Sequence, residues 1–204
     1  MLHHTGTVSL HTPRLVLRPL YADDAPQMYR HWASDPAVTR YLRWEPHSSA
    51  AATRQQLTAW AELYANPDYY QWGIVEAASG ALIGSISLFD STLQEAPEPQ
   101  LWQTPGLDFS AGIWEPGYCI GRRWWNQGYT TEALRAVAAH WFSAVGGSWL
   151  ACSHALANPA SGRVMQKAGF LPDHVTQYHK FDGTPVPCRI YRLTRAEWAA
   201  RYRP

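Results

Sequence analysis

Polar and apolar residues alternate through Arg14-Leu-Val-Leu-Arg18, a period of two that predicts a first strand after the Thr12-Pro13 turn. Ala22-Asp-Asp24 then offers cap residues for a helix running to about Trp32, and Asp35-Pro36 ends it or starts the next. From residue 48 to 65 the period lengthens. A serine start is followed by Leu57, Trp60, Ala61 and Tyr64 at helical spacing. Gln71 to Glu76 and Leu82 to Leu88, joined by the Ala78-Ser-Gly80 turn, predict an antiparallel hairpin. Residues 90–112 then break every period with Pro97, Pro99, Pro105 and two glycines, which predicts a long loop inserted between strands.

The densest signal lies between residues 115 and 170. A strand candidate ending at Gly121 leads into the short loop Trp125-Asn-Gln-Gly128-Tyr-Thr130. Leu134, Val137, Ala138, Trp141 and Val145 then form one apolar stripe, with Arg135 and His140 off it, the pattern of a helix covering a sheet. Ser148 to Ser153 reads as a short buried strand, and Ser161 to Ala168 as a helix closed by Gly169. Val175 to Lys180 and Arg189 to Leu193, joined through Asp182-Gly183, predict a last hairpin. A strand followed by a tight loop that opens a helix aims unpaired N–H groups at one point, which is how a pyrophosphate is held without dedicated cationic side chains.

Composition narrows the reading. At 204 residues the chain fits one domain, residues 12–204, behind an N-terminal tail of residues 1–11. Seventeen basic against sixteen acidic residues leave no field to recruit nucleic acid or an anionic membrane. Eleven tryptophans are the anomaly; most belong to a core, and some can line a cleft. Cys119, Cys152 and Cys188 lack redox or metal spacing and are expected as free thiols of a cytoplasmic protein. No basic stretch followed by an apolar one opens the chain, and the most apolar window, Ala133 to Cys152, is broken by Arg135, His140 and a Gly-Gly pair, so neither an export signal nor a membrane span is expected.

From Thr12 to Trp198 the sequence resembles the GCN5-related N-acetyltransferase (GNAT) superfamily, and within it the RimJ/RimL-like ribosomal-protein N-terminal acetyltransferases. Thr12-Pro-Arg-Leu-Val-Leu-Arg18 resembles the first strand of that branch, Leu82-Ile-Gly84 its third and Gly117-Tyr-Cys-Ile-Gly121 its fourth. Gly128-Tyr-Thr-Thr-Glu-Ala133 resembles its acyl-CoA loop, and Asn158-Pro-Ala-Ser161 through Lys167-Ala-Gly-Phe170 its CoA-contacting turn and helix. Trp125, Thr130 and Asn126 depart from the usual loop pattern, and the 90–112 insertion exceeds it. The resemblance implies an α+β fold, in which helices flank a central mixed, mostly antiparallel twisted sheet splayed between the fourth and fifth strands. It also implies acetyl transfer from acetyl-CoA to a primary amine by direct attack, with no metal.

CoA is expected on main-chain groups near Cys119 and Ile120, on the loop residues Asn126, Gln127, Gly128, Tyr129, Thr130 and Thr131, on Arg122, Arg123 and Asn158, and on Lys167, whose late helical position also suits the helix dipole. Glu115 is the candidate base, with a solvated turn carboxylate as the alternative. Ser161 is the candidate acid toward the leaving thiolate, with helix capping as the alternative and Tyr118 as a substitute. Cys119 is a possible acyl carrier, though a strand cysteine without a neighbouring histidine is more often inert. His154, His174 and His179 lack metal spacing. Trp44, Trp72 and Trp102 line the acceptor cleft or the core. The acceptor is expected to be a protein or peptide N-terminus, with a small-molecule amine (an aminoglycoside, a polyamine or an aminoacyl nucleotide antibiotic) as the alternative, and a non-catalytic acyl-CoA-binding module as the second. A monomer or a homodimer is compatible with the sequence.

Overall fold

A computed structural model describes residues 1–93, 107–180 and 182–202 of the chain. The strands are β1 (Leu10–His11), β2 (Leu15–Pro19), β3 (Tyr70–Glu76), β4 (Leu82–Asp90), β5 (Trp114–Ile120), β6 (Trp149–Ala155), β7 (Leu171–His179) and β8 (Pro185–Thr194). The helices are α1 (Ala25–Met28), which widens into a π turn at Tyr29–Ala33, α2 (Pro36–Thr39), α3 (Ala50–Leu63), α4 (Tyr129–His140) with a π turn at Trp141–Val145, α5 (Pro159–Lys167) and α6 (Arg195–Tyr202). The two-residue β1 shifts the strand count, so the expected fourth and fifth strands are β5 and β6.

Every pairing among the described strands is antiparallel, and the expected splay is a full interruption. One sheet runs β1-β2-β3-β4-β5 and stops, and a second runs β6-β8-β7. Helices cover both faces of the first. Consecutive Leu82 and Ile83 in β4 enter different clusters, because successive side chains leave a strand on opposite faces. Ile83 joins Leu17, Trp72, Ile74 and the α4 stripe of Leu134, Val137, Ala138 and Trp141. Leu82 joins Leu20, Met28, Trp32 and Leu57 of the α1 and α3 side. Each large side chain in these layers contributes about 1.5–3 kcal/mol by leaving water.

Three local differences have clear causes. Residues 1–11, expected as a tail, are fastened along the sheet: His3 N–H donates to Val145 O at 2.8 Å, the Trp72 indole to Val8 O at 2.7 Å, and β1 pairs with β2. The α5 helix starts at Pro159 and not at Ser161, because Asn158 is the cap and its Oδ1 accepts Ser161 N–H at 3.4 Å. The terminal helix α6, unforeseen, is tied down by Glu197, which accepts from Arg192 and from Thr194. Most of the 90–112 insertion, with Trp102, lies outside the described residues.

Candidate active site

β5 lends one edge to β4 and leaves the other open. Gly121 N–H donates to Ile83 O at 2.9 Å, and a Cβ built on Gly84 would lie 2.4 Å from Cys119 O, so odd-numbered residues turn their main chain toward β4. Alternation then turns Pro116, Tyr118 and Ile120 toward β6. Two of those carbonyls are occupied, Pro116 O by the Cys152 thiol at 3.5 Å and Ile120 O by the Trp125 indole at 2.8 Å. The Tyr118 amide groups and the Ile120 N–H therefore face the seam. The expectation for Cys119 is corrected here, since its main chain belongs to the β4 ladder.

The seam runs into the loop before α4. Asn126 and Gly128 take left-handed φ values of 61° and 81°, which cost a residue with a Cβ about 1–2 kcal/mol and which asparagine and glycine tolerate best. A Cβ on Gly128 would meet only the Arg14 guanidinium, at 3.5 Å, so the backbone angle and not crowding calls for glycine. These turns present the first N–H groups of α4, which have no acceptor within their own helix. Arg14, just before β2, braces the loop from outside: it donates to Gln127 O at 3.0 Å and pairs with Glu132 at 2.6 Å. Thr12 donates to the same carboxylate at 2.6 Å. Tyr129 turns its hydroxyl to Glu76, and Thr130 and Thr131 are buried. A pyrophosphate fits this concavity of amides.

Near the other end of β5, Glu115 is 7% exposed. Its carboxylate accepts from Ser153 of β6 at 2.8 Å and from Ser91 at 3.0 Å, so it ties the two sheets together. Burial raises its pKa, while the two serines and the positive charge of Arg43 oppose the rise. No sequence signal marks Ser91, Ser153 or Arg43, because their proximity to Glu115 exists only after folding. Arg43 belongs to a strap after α2. Its guanidinium lies 5.3 Å from the Tyr178 ring centroid, the Tyr178 hydroxyl donates to Tyr41 O at 3.2 Å, and Lys180 Nζ reaches Arg40 O at 3.3 Å.

On the opposite face of β5, Tyr118 and Ser161 share a hydrogen bond of 2.9 Å between their hydroxyls, which closes the gap between β5 and α5. Burial pushes the Tyr118 phenol well above its ordinary value, so it stays protonated. Cys119, 3.3 Å from the Ser85 hydroxyl, is raised to about 11 by burial and is no thiolate at neutral pH. Trp72 is fully buried and holds Val8, which corrects its assignment to the acceptor cleft. Trp44 is half-buried, packed on the α1 and α3 cluster beside His47. Lys167 is exposed at the end of α5, and its carbonyl accepts from Arg135. Arg122 pairs with Asp35 at 2.5 Å, and Arg123 is exposed. Among the described residues no group of three metal-ligating side chains occurs, and no helix is long and apolar enough to cross a membrane.

The first sheet stops bonding at the strand that leads into the α4 loop, which leaves an open strand edge, able to pair with an amide-bearing ligand, beside a turn of unpaired N–H groups able to hold an anion. The comparisons agree. Residues 14–171 match the family described as Acetyltransferase (GNAT) domain, and the chain belongs to that family, whose members use acetyl-CoA; it is an N-acetyltransferase. It is similar to the uncharacterized N-acetyltransferase YoaA of Bacillus subtilis (strain 168), 28% identical over 187 residues, 91% of this chain and 96% of that protein. Its fold is similar to a GCN5-related N-acetyltransferase from Brucella melitensis, with a TM-score of 0.75, 17% identity, and coverage of 98% of this chain and 84% of that one. It is likewise similar to ribosomal-protein-S5-alanine acetyltransferase from Vibrio fischeri, with a TM-score of 0.67, 16% identity, and coverage of 94% and 98%.

Proposed function

We propose that this chain acetylates a protein or peptide α-amine, in keeping with the RimJ/RimL-like branch. One observation carries the reading: Glu115 on one face of β5 and Ser161 on the other flank a single open strand edge that leads to the loop amides. Acetyl-CoA supplies a thioester carbonyl. The Tyr118 and Ile120 main chain binds the pantetheine arm, and residues 126–131 bind the pyrophosphate.

As the amine nitrogen bonds to the carbonyl carbon and the C–S bond breaks, Glu115 takes the amine's proton directly or through water, and Ser161 donates one to sulfur. Tyr118 orients that serine and can return its proton. A seam-facing N–H of β5 steadies the charge that develops on the carbonyl oxygen.

A carboxylate held by two serines is a modest base, and a modest base is enough for an α-amine. With a pKa of ~8 that amine is neutral roughly a tenth of the time at pH 7, whereas a lysine at ~10.4 is neutral only about once in a few thousand. The burial of Trp72 removes one support for an aromatic pocket that would enclose a small amine. The name of the Vibrio fischeri neighbour, a ribosomal-protein acetyltransferase, points the same way.

The test is an acceptor panel of peptides with free N-termini, N-blocked lysine peptides, aminoglycosides and polyamines, incubated with acetyl-CoA and read by thiol release and product mass. Acetylated peptide N-termini are expected. Turnover confined to small amines, or to none, would refute the assignment.

A further inference from the structure

His154 is a buried titratable group that the proposed chemistry does not use. It lies near the end of β6, 9% exposed, next to the Ser153 that holds Glu115. The Tyr191 ring of β8 packs on it, 5.5 Å away between centroids, and the backbone of α5 closes on the edge that carries Nε2. A Cβ built on Gly162 would lie 2.5 Å from Nε2 and 3.0 Å from Cε1, so a glycine is what lets the helix come this near.

The two ring nitrogens have different surroundings. Ala155 O, 2.8 Å from Nδ1, can only accept, so Nδ1 carries the proton and Nε2 keeps a bare lone pair. Nε2 is buried and has no hydrogen-bond partner among the described residues. A proton added there would bury a charge against the backbone of α5. Burial lowers the pKa of the ring against the pull of the Ala155 and Asn158 main chain, and the positive charge of Arg189, its neighbour across β8, adds to the lowering. Arg163 and Lys167, the charged residues of α5, are exposed. At pH 7 the ring is a neutral, rigid wedge between strand and helix.

The wedge bears on the turn that carries Ser161. Ala155 O also accepts Asn158 N–H at 2.8 Å, and Asn158 in turn accepts Ser161 N–H through its own carbonyl at 3.2 Å. One acceptor thus joins His154 to the cap of α5, and the ring contact fixes Gly162, the residue after Ser161. The far end of α5 is held separately, by Gln166 Nε2 on the Tyr191 hydroxyl at 3.3 Å. We propose that His154 is a positioning residue for Ser161: its neutral ring sets the height of the first turn of α5 over β6, and with it the place of the serine hydroxyl at the seam. It acts through the serine and not on the reacting atoms. A proton donor that must meet sulfur as charge builds there depends on such support, because misplacement by ~1 Å can cost about a hundredfold in rate. The inference rests on the reading of Ser161 as the acid.

Double-mutant kinetics with acetyl-CoA and a peptide carrying a free N-terminus test this. His154→Asn keeps a donor for Ala155 O but lacks the ring edge against Gly162, and Gly162→Ala, which helix propensity alone favours, crowds that edge. Each should lower kcat by about three- to tenfold with KM for acetyl-CoA unchanged within about twofold. In a Ser161→Ala background neither should lower kcat further, whereas a general loss of structure would cost the same with or without the serine. The ring nitrogen shifts of His154 at pH 7, read by NMR, should show a neutral imidazole protonated at Nδ1. Losses that persist undiminished after Ser161 is removed, or wild-type kcat in both variants, would overturn the proposal, as would a ring charged or protonated at Nε2. If one variant does not fold, the other decides, since the two disturb the contact from opposite sides. A Ser161→Ala enzyme as fast as the wild type would sink the acid reading together with this inference. A slow Ser161→Ala beside an unaffected His154→Asn would sink this inference alone.

Discussion

Glu115 carries an unusual burden for one side chain, joining two sheets while remaining buried. A carboxyl whose folded pKa is raised binds its proton more tightly in the fold. Its contribution to stability is complete below the unfolded value of ~4.3 and is lost as pH rises through the folded value. Glutamine cannot titrate. The melting temperature of Glu115→Gln minus that of the wild type should therefore become more positive from about pH 4 to about pH 8, and a difference that falls over that range would refute the raised pKa. In activity the same variant should lose about tenfold in kcat/KM near pH 7 and progressively less as the amine deprotonates unaided. Ser161→Ala should lower kcat by roughly tenfold or more with little change in KM for acetyl-CoA, because the bond to sulfur strengthens only as charge builds there. Equal rates for wild type and Ser161→Ala on a verified acceptor would remove the serine from the chemistry.

At the scale of elements, β4 and the loop after β5 determine whether the seam has the right shape. A Cβ on Gly84 would press on Cys119 O at 2.4 Å and on Ile120 Cα at 2.9 Å, both backbone atoms that cannot rotate away. Gly84→Ala should cost about 1–3 kcal/mol by overpacking and push β5 toward the seam. Urea melts paired with CoA titrations should show both effects, and an unchanged midpoint would contradict the close contact. The elements themselves were legible in the sequence, since the periods of β2, α3, the β3–β4 hairpin and α4 are set by local alternation and by one buried face. The loop was legible too, because Asn126 and Gly128 are the residues that left-handed turns select. The partners of Glu115, the strap over Tyr178 and the burial of Trp72 were not. Trp72 finds its acceptor 64 positions away at Val8, and Glu115 finds Ser153 38 positions away; no local pattern encodes such contacts.

For the whole molecule, the first eleven residues matter more than their position suggests. Deleting residues 2–8 would leave the buried Trp72 indole without its acceptor and the Tyr70 hydroxyl without His4. A lost buried hydrogen bond of ~1–3 kcal/mol corresponds to a drop of ~2–12 °C in melting temperature for a chain of this size. Scanning calorimetry on the truncated chain checks it, and an unchanged transition would return these residues to the status of a tail.

The strap after α2 has a consequence for ligand capture. Arg40 and Tyr41 follow a helix whose Val38 packs on the first sheet, while their partners Lys180 and Tyr178 belong to the second or extend from it. The strap is thus a tether between halves that share no strand ladder, and it acts with the Glu115–Ser153 and Tyr118–Ser161 hydrogen bonds to hold the spacing of the seam. On the proposed reading, an acyl carrier entering the seam would meet a groove already held at width, with the entropy of narrowing it met when the chain folded. Slackening the tether would then weaken capture without altering any residue assigned to the ligand.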